Sequence, residues 1–285
     1  MRAIDLHAHT ICSDGSLTPT ELVTLAVKKN LSALAITDHD SVKGIDEAEA
    51  AVKELALPIE LIPGVELSTD YQGKEVHVVG LYINRHEVKF NQHLTKFLES
   101  RDLRNQKMCA LFQQEGIPIT VEALEEMYPG CVLTRSHYAG YLLEHGYVKS
   151  RTEAFDKYLN DHGKCYVNRD KISPMDAIAL IKNAGGIPIL AHPILYHMSD
   201  AVLDTLVATL KDAGLVGIEA VYSTYRPADE RAIRKLAEKY DLALSGGSDF
   251  HGEAKPDLEL GTGYGHLFVP EEFLPALRKK AGKES

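Results

Sequence analysis

Residues 33–40 read Ala-Leu-Ala-Ile-Thr-Asp-His-Asp, and residues 3–10 read Ala-Ile-Asp-Leu-His-Ala-His-Thr. In each, a short run of strand-forming residues leads into a polar cluster built from histidine and aspartate. Between the two, Thr18-Pro19-Thr20-Glu21 combines an N-cap threonine, a proline at the first helical position and a glutamate two residues further on. A helix is therefore expected from there to about residue 30. Strand, helix and strand in close succession are the signature of a βαβ unit and a parallel sheet.

Working outward, a second helix fits residues 45–56, and strands fit 59–67 and 76–83, the former expected to break at Pro63-Gly64. From residue 89 to 168 the period changes. Phe90, Leu94, Phe97, Leu98, Leu103, Met108 and Leu111 suit one long helix, followed by shorter helical pieces at 121–127, 136–144 and 152–160. This stretch reads as a helical domain inserted into the alternating chain, with residues 1–88 and 169–285 forming the unit that surrounds it. Alternation then resumes. Ser173-Pro174 opens a helix that Gly185-Gly186 closes, and strands at 187–191, 217–221 and 242–245 alternate with helices at 200–213 and 227–240. Seven or eight strands in an α/β chain suggest a barrel, with a loose tail from residue 279.

The 285 residues carry a net charge of −10, with 45% hydrophobic and 25% charged side chains. That composition excludes disorder and collagen-like structure. An acidic surface repels long duplexes, so phosphate binding requires a local concentration of positive charge. The four cysteines, Cys12, Cys109, Cys131 and Cys165, form no C-x-x-C pair, and the chain opens without a basic-then-apolar leader. These features predict a cytoplasmic protein with free thiols and no membrane span.

His7 and His9 are two apart where a strand ends, so both project from one face. Such a pair alone is common; its recurrence is informative. Asp38-His39-Asp40, Gly64-Val65-Glu66, His77, Ala191-His192-Pro193 and Ser248-Asp249-Phe250-His251 all fall in or just after predicted strands. In a parallel barrel the C-terminal strand ends share one mouth, so these clusters are expected to converge on a multinuclear metal site. Gly246-Gly247 removes side chains where backbones must approach closely. Imidazole and carboxylate without thiolate suit manganese, iron or zinc. Ser13-Asp14-Gly15 alone would read as an Asx-turn, and its place after the first histidine pair makes Asp14 a ligand candidate. Asp5, Asp38 and Asp40 flank ligand histidines and are candidates to orient imidazoles. Thr134-Arg135-Ser136-His137 opens a predicted helix, where an N-terminus beside an arginine suits a phosphate. His86, His93, His145, His162, His197 and His266 lack matching partners and are assigned to surface or capping roles.

The motifs DLHAHT with the following SDG, ITDHD, GVE, the histidine of HVVGL, AHP and SDFHG, running from residue 5 to 252, resemble those of the polymerase and histidinol phosphatase (PHP) metallophosphoesterases. The resemblance covers nearly the whole chain and is closest to stand-alone members acting on nucleoside 3′,5′-bisphosphates and short 5′-phosphorylated RNA. It implies an α/β fold, a distorted (β/α)7 TIM-like barrel with an inserted helical domain. It also implies two or three divalent ions, usually manganese. Carried over motif by motif, the ligands would be His7, His9, Asp14, His39, Glu66, His77, His192, Asp249 and His251, with Glu66 bridging two ions. Three ions facing the carboxylates of Asp14, Glu66 and Asp249 would leave about three positive charges in the pocket. Asp40 and His192 are candidates to protonate the leaving oxygen. Lys164 and Tyr166 resemble the family's second substrate-contacting segment and, with Arg135 and His137, are expected to hold a 5′-phosphate.

The function expected from this resemblance is hydrolysis of a nucleotide phosphate ester by a metal-activated hydroxide, most directly the 3′-phosphate of a nucleoside 3′,5′-bisphosphate. Alternatives are a histidinol phosphate or other small-phosphate phosphatase, a 5′-3′ exoribonuclease on short RNA, and a non-catalytic metal-binding module. An amidohydrolase would call for a carboxylated lysine after a mid-barrel strand, and none is evident.

Overall fold

The computed structural model describes residues 2–283. Strands β1 (Ala3–Asp5), β2 (Ala33–Ile36), β3 (Glu60–Tyr71), β4 (Lys74–Leu81), β5 (Ile187–Leu190), β6 (Gly217–Tyr222), β7 (Ala243–Gly247) and β8 (Val269–Pro270) form one sheet in the order β7-β6-β5-β4-β3-β2-β1-β8. The sheet curls into a nearly closed barrel. β8 pairs antiparallel with Ala3 and Ile4, while the chain just beyond β1 reaches β7: Leu6 N–H donates to Gly246 O at 3.1 Å, and Asp249 N–H to His7 O at 2.8 Å. The closure depends on Gly247, where a Cβ would lie 2.5 Å from the His7 Cβ and backbone nitrogen.

The first helix, α1 (Pro19–Lys28), starts at Thr18 with the expected reciprocal cap from Glu21, and α2 (Ile45–Glu54) follows β2. The strict alternation expected up to residue 88 does not hold. β3 passes through Pro63-Gly64 without breaking, because Gly64 has no Cβ to strike Ile36 O and Gly80 O. β3 then turns back at Gln72-Gly73, with φ of 55° and 81°, into an antiparallel β4. Two residues of positive φ match the twist of a tight hairpin, so no helix intervenes. β4 also pairs antiparallel with β5, which brings its N-terminal half to the mouth that the parallel strands reach with their C-termini.

Between β4 and β5 the chain forms α3 (Val88–Gln114), α4 (Val121–Met127), α5 (Arg135–Glu144), α6 (Arg151–Ala154), which runs into a π-helical turn over Phe155–Leu159, and α7 (Pro174–Asn183). Helix α3 is shared between two cores. Phe90, Leu94 and Phe97 pack with the barrel, whereas Met108, Cys109 and Phe112 join Ile119, Leu124, Tyr138 and Leu142 in a separate helical cluster. Helices α8 (Asp200–Ala213) and α9 (Pro227–Lys239) flank the later strands. The tail is more ordered than expected: α10 (Leu274–Lys280) seats Leu274 and Leu277 among Ile4, Leu81, Ile187 and Ala243, at the end of the barrel away from the histidines. Glu284 and Ser285, part of the tail expected to be loose, lie outside the described residues. No described helix is long and apolar enough to cross a membrane.

Candidate metal centre and active site

The polar clusters that follow or begin the strands meet at one mouth around Glu66, which is 1% exposed. Its Oε2 lies 3.3 Å from His7 Nε2, 3.4 Å from His9 Nε2 and 3.1 Å from His39 Nδ1. Its Oε1 lies 2.7 Å from His77 Nδ1 and 3.0 Å from His192 Nε2. Asp249 Oδ1 stands 3.2 Å from His9 Nε2, and Asp14 Oδ1 stands 3.2 Å from His251 Nε2. The donor atoms fall into three overlapping groups, each within 4.8 Å: His9, Asp14, His39 and His251; His7, His9, Glu66 and Asp249; and His39, Glu66 and His77.

Most of these side chains are gripped on one side and bare on the other. His7 Nδ1 bonds Glu219 Oε1 at 2.9 Å, His9 Nδ1 bonds Ser13 Oγ at 3.3 Å, and His251 Nδ1 bonds the Asp249 carbonyl at 2.8 Å. Asp14 Oδ2 accepts from Thr134 Oγ1 at 3.0 Å, and Asp249 Oδ2 accepts from Tyr222 and Lys255, each at 2.7 Å. The opposite atoms, His7 Nε2, His9 Nε2 and Asp14 Oδ1, are buried without a hydrogen-bond partner, and so is His39 Nδ1. Buried polar atoms left bare are costly. A histidine oriented through one ring nitrogen with the other aimed at a shared point is the arrangement that metal coordination uses. The residues therefore fit divalent ions. Burial and the neighbouring His251 pull His9 down to about 3, so its ring is neutral and able to coordinate. The buried Asp5 and Asp38 brace the loops: Asp5 accepts from Ser248 and Gly261 N–H groups, Asp38 from Thr10 and Ser13.

Above the cluster lies a cavity of about 540 Å³ shared by barrel and insert. Its far wall is basic: Arg101, Arg104, Arg135, Arg151, Arg169 and Lys171 all line it. Arg135 and Tyr166 are among its lining residues, the guanidinium 5.7 Å from the ring centroid and bonded to Glu75 at 2.8 Å. Two of the expected phosphate contacts are not. Lys164 is exposed and pairs with Glu115 at 2.6 Å, because the loop carrying it turns outward. His137 does not line the cavity; it points into the helix start, where its Nδ1 accepts the Thr134 N–H at 2.9 Å and burial pulls it down to about 4. Asp40 also differs from the expected proton donor. Burial would push its carboxyl up, but Arg101 at 2.7 Å and Arg169 at 2.8 Å outweigh burial and hold it at about 2. It has no proton to give at neutral pH.

Glu219 and the buried arginines escape sequence reading. Glu219 sits inside the apolar strand Gly217–Tyr222, and a lone carboxylate in such a run is the one local signal for it. Arg101 and Arg104 are two charges among many on a 27-residue helix, and their burial follows from how the insert meets the barrel. His86, His93, His145, His162, His197 and His266 lie on the surface.

A nearly closed α/β barrel with a histidine-carboxylate cluster at its mouth and cationic walls above it is the architecture of a metal-dependent phosphoester hydrolase. Residues 5–170 match the PHP domain, and the chain belongs to that family. It is 37% identical over 247 residues to a 5′-3′ exoribonuclease of Haemophilus influenzae, covering 87% of this chain and 89% of that one. It is 34% identical over 262 residues to a 3′,5′-nucleoside bisphosphate phosphatase of Chromobacterium violaceum, covering 92% and 91%. A solved structure from Chromobacterium violaceum, described as an amidohydrolase with bound sulfate and no metal, superposes with a TM-score of 0.85 at 32% identity over 96% of each chain.

Proposed function

We propose that this protein removes the 3′-phosphate of nucleoside 3′,5′-bisphosphates, with manganese ions held by His7, His9, Asp14, His39, Glu66, His77, His192, Asp249 and His251. The observation that carries the reading is the two-walled cavity, with donor groups for cations on one side and guanidinium groups on the other. Its volume suits a mononucleotide. Divalent ions bound there would lower the pKa of a water and neutralise charge on the phosphoryl oxygens.

The chain's own residues hold this arrangement. Glu66 belongs to two of the three donor groups, as do His9 and His39, and its carboxylate, with an oxygen for each side, would be the one shared between the ions held there. Thr134, Tyr222, Lys255 and Glu219 fix the ligands whose outer atoms they bond. In the reaction a water oxygen bonds to phosphorus, the bond to the 3′-oxygen breaks, and that oxygen takes up a proton. Asp40, locked as a carboxylate, cannot supply it, and His192 can do so only where it does not hold a metal ion; otherwise the proton is the attacking water's own. The helical insert covers the mouth and brings Arg135 and Tyr166 to the substrate.

The kinship with the Haemophilus influenzae exoribonuclease favours a second reading, trimming of short 5′-phosphorylated RNA. Both reactions cut between phosphorus and a 3′-oxygen and release a nucleoside 5′-monophosphate. They differ only in what else the phosphorus carries.

The test is product release by metal-stripped protein resupplied with Mn²⁺. Substrates are adenosine 3′,5′-bisphosphate, 3′-AMP, 5′-AMP, histidinol phosphate and a 5′-phosphorylated oligoribonucleotide. Conversion of the bisphosphate to 5′-AMP, with little from either monophosphate, is the expected result. Turnover of histidinol phosphate alone would overturn the substrate assignment.

A further inference from the structure

A second cavity, of about 610 Å³, adjoins the one over the donor cluster: Asp14, Ser136, Arg151 and Ala254 line both. A nucleoside bisphosphate does not need it, because the first cavity already suits a whole mononucleotide. Its walls are of another kind. Met127, Tyr128, Pro129 and Leu143 give it an apolar lining. Among the described residues Arg151 is its one guanidinium, set against the carboxylates of Asp14, Glu144 and Glu253. Such walls disfavour a phosphate monoester and suit a neutral, flat, largely apolar group. The Tyr128 ring is held there from two sides. Its centroid lies 4.5 Å from that of the buried His137, and its hydroxyl rests against α5 at Gly140, where a Cβ would strike it. The second cavity also begins at the donor cluster, since Asp14, which lines it, keeps Oδ1 3.2 Å from His251 Nε2.

We infer that this second cavity seats the nucleoside joined to the far side of the reacting phosphorus, the second nucleotide of a 5′-phosphorylated RNA, with its base on the Tyr128 ring. The inference deepens the reading of the protein as a 5′-3′ exoribonuclease and rests on it. In a bisphosphate the reacting phosphorus ends the molecule. In RNA it carries the 5′-oxygen of the next nucleoside, which needs room directly beside the donor cluster. The second cavity supplies that room at Asp14. The water oxygen bonds to phosphorus and the bond to the 3′-oxygen breaks; one proton of the water goes to the 3′-oxygen and the other stays with the phosphate. The nucleoside 5′-monophosphate then lies in the first cavity, and the shortened chain keeps the phosphate as its new 5′ end. Its first nucleoside steps from the second cavity to the first for the next cut. Stacking on an aromatic ring is tolerant of base identity, so the seat serves a chain of any sequence.

The test compares two substrates on Mn²⁺-loaded protein: the 5′-phosphorylated dinucleotide pApA, and the same dinucleotide with an abasic second sugar. Removing the second base should lower kcat/KM about 10–100-fold, the worth of one stacked base. Tyr128→Ala should lower kcat/KM for pApA by the same factor and leave the two dinucleotides equal, while Tyr128→Phe should keep the parent's preference. A merely structural Tyr128 predicts equal losses on both dinucleotides in Tyr128→Ala. A direct readout uses metal-stripped protein, in which the chain stays whole. 5-Iodouridine at the second position should photo-crosslink to Tyr128, located by mass spectrometry, and at the first position should not. Equal rates for pApA and its abasic form in the parent, or a crosslink to Tyr128 from the first position, overturn the seat and leave the exoribonuclease reading in place. If the parent cuts neither dinucleotide yet crosslinks at Tyr128 through the second position, that reading fails and the seat stands; without the crosslink both fall.

Discussion

Thr134 Oγ1, at the N-cap of α5 in the insert, donates to Asp14 Oδ2 on the barrel rim at 3.0 Å. The same oxygen accepts the Ser136 N–H at 3.2 Å, so one hydroxyl caps α5 and orients a candidate ligand. The insert is therefore wired to the metal centre through a 120-residue separation in sequence.

Replacing Thr134 with valine keeps the shape and removes the hydroxyl. Losing an outer hydrogen bond to a ligand costs about 10–100-fold in metal affinity, and losing the cap costs about 1 kcal/mol. Metal titration should show one weakened ion, at the group containing Asp14, and Thr134→Ser should restore it. Equal affinities in both variants would refute the link.

Glu219 tests the same logic from inside the barrel. Its Oε1 holds His7 Nδ1 at 2.9 Å and its Oε2 accepts the His192 N–H at 2.7 Å. Glu219→Gln keeps one acceptor and introduces a donor facing one of these N–H groups. About 10–100-fold weaker metal binding is expected, with kcat falling in step as occupancy is lost. A variant retaining full metal content but no activity would assign Glu219 a different role.

Much of the site is legible in sequence because its parts are local. His7-Ala8-His9, Asp38-His39-Asp40 and Asp249-Phe250-His251 each sit where a strand ends, and spacing alone sets their shared direction. The hairpin of β3 and β4 is less visible, although Gln72-Gly73 between two strand patterns is its signal. It matters, since only an antiparallel β4 carries His77 to the mouth near its N-terminal end. The basic wall is not local at all. Arg101 and Asp40 are 61 residues apart, and Arg169 and Asp40 are 129 apart, so their pairing follows from how α3 and the segment ahead of α7 dock against the barrel. Lys164 shows the converse: its segment resembles a substrate contact, yet the loop turns it to solvent.

Gly247 is the point where barrel closure and metal geometry coincide. A Cβ there would stand 2.5 Å from the His7 backbone nitrogen and 2.9 Å from Asp5 Oδ1, and neither is the free end of a flexible chain. Gly247→Ala should cost about 1–3 kcal/mol in urea unfolding, the range of an overpacked core, and should lower metal content by displacing His7. Parent-like stability would show that β1 and β7 can separate without cost.

His137 makes the protein sensitive to acid in a way that one substitution removes. Its ring is buried against Tyr128, 4.5 Å between centroids, and burial holds it at about 4 while its Nδ1 accepts the Thr134 N–H. In the unfolded chain a histidine titrates near 6.5. Above that value His137 is neutral in both states and contributes no pH dependence. As the pH falls from about 6.5 towards about 4, the unfolded chain takes up a proton that the folded protein refuses, so stability declines by about 3 kcal/mol across the window. Glutamine at this third helical position can make the same reciprocal cap without a titrating group. His137→Gln should therefore match the parent near pH 8 and exceed it by about 2 kcal/mol near pH 4.5. Other groups titrate in the same range, and comparing the two proteins at each pH cancels them. A stability difference that stays constant with pH would show that His137 takes up its proton as readily in the folded protein as in the unfolded chain.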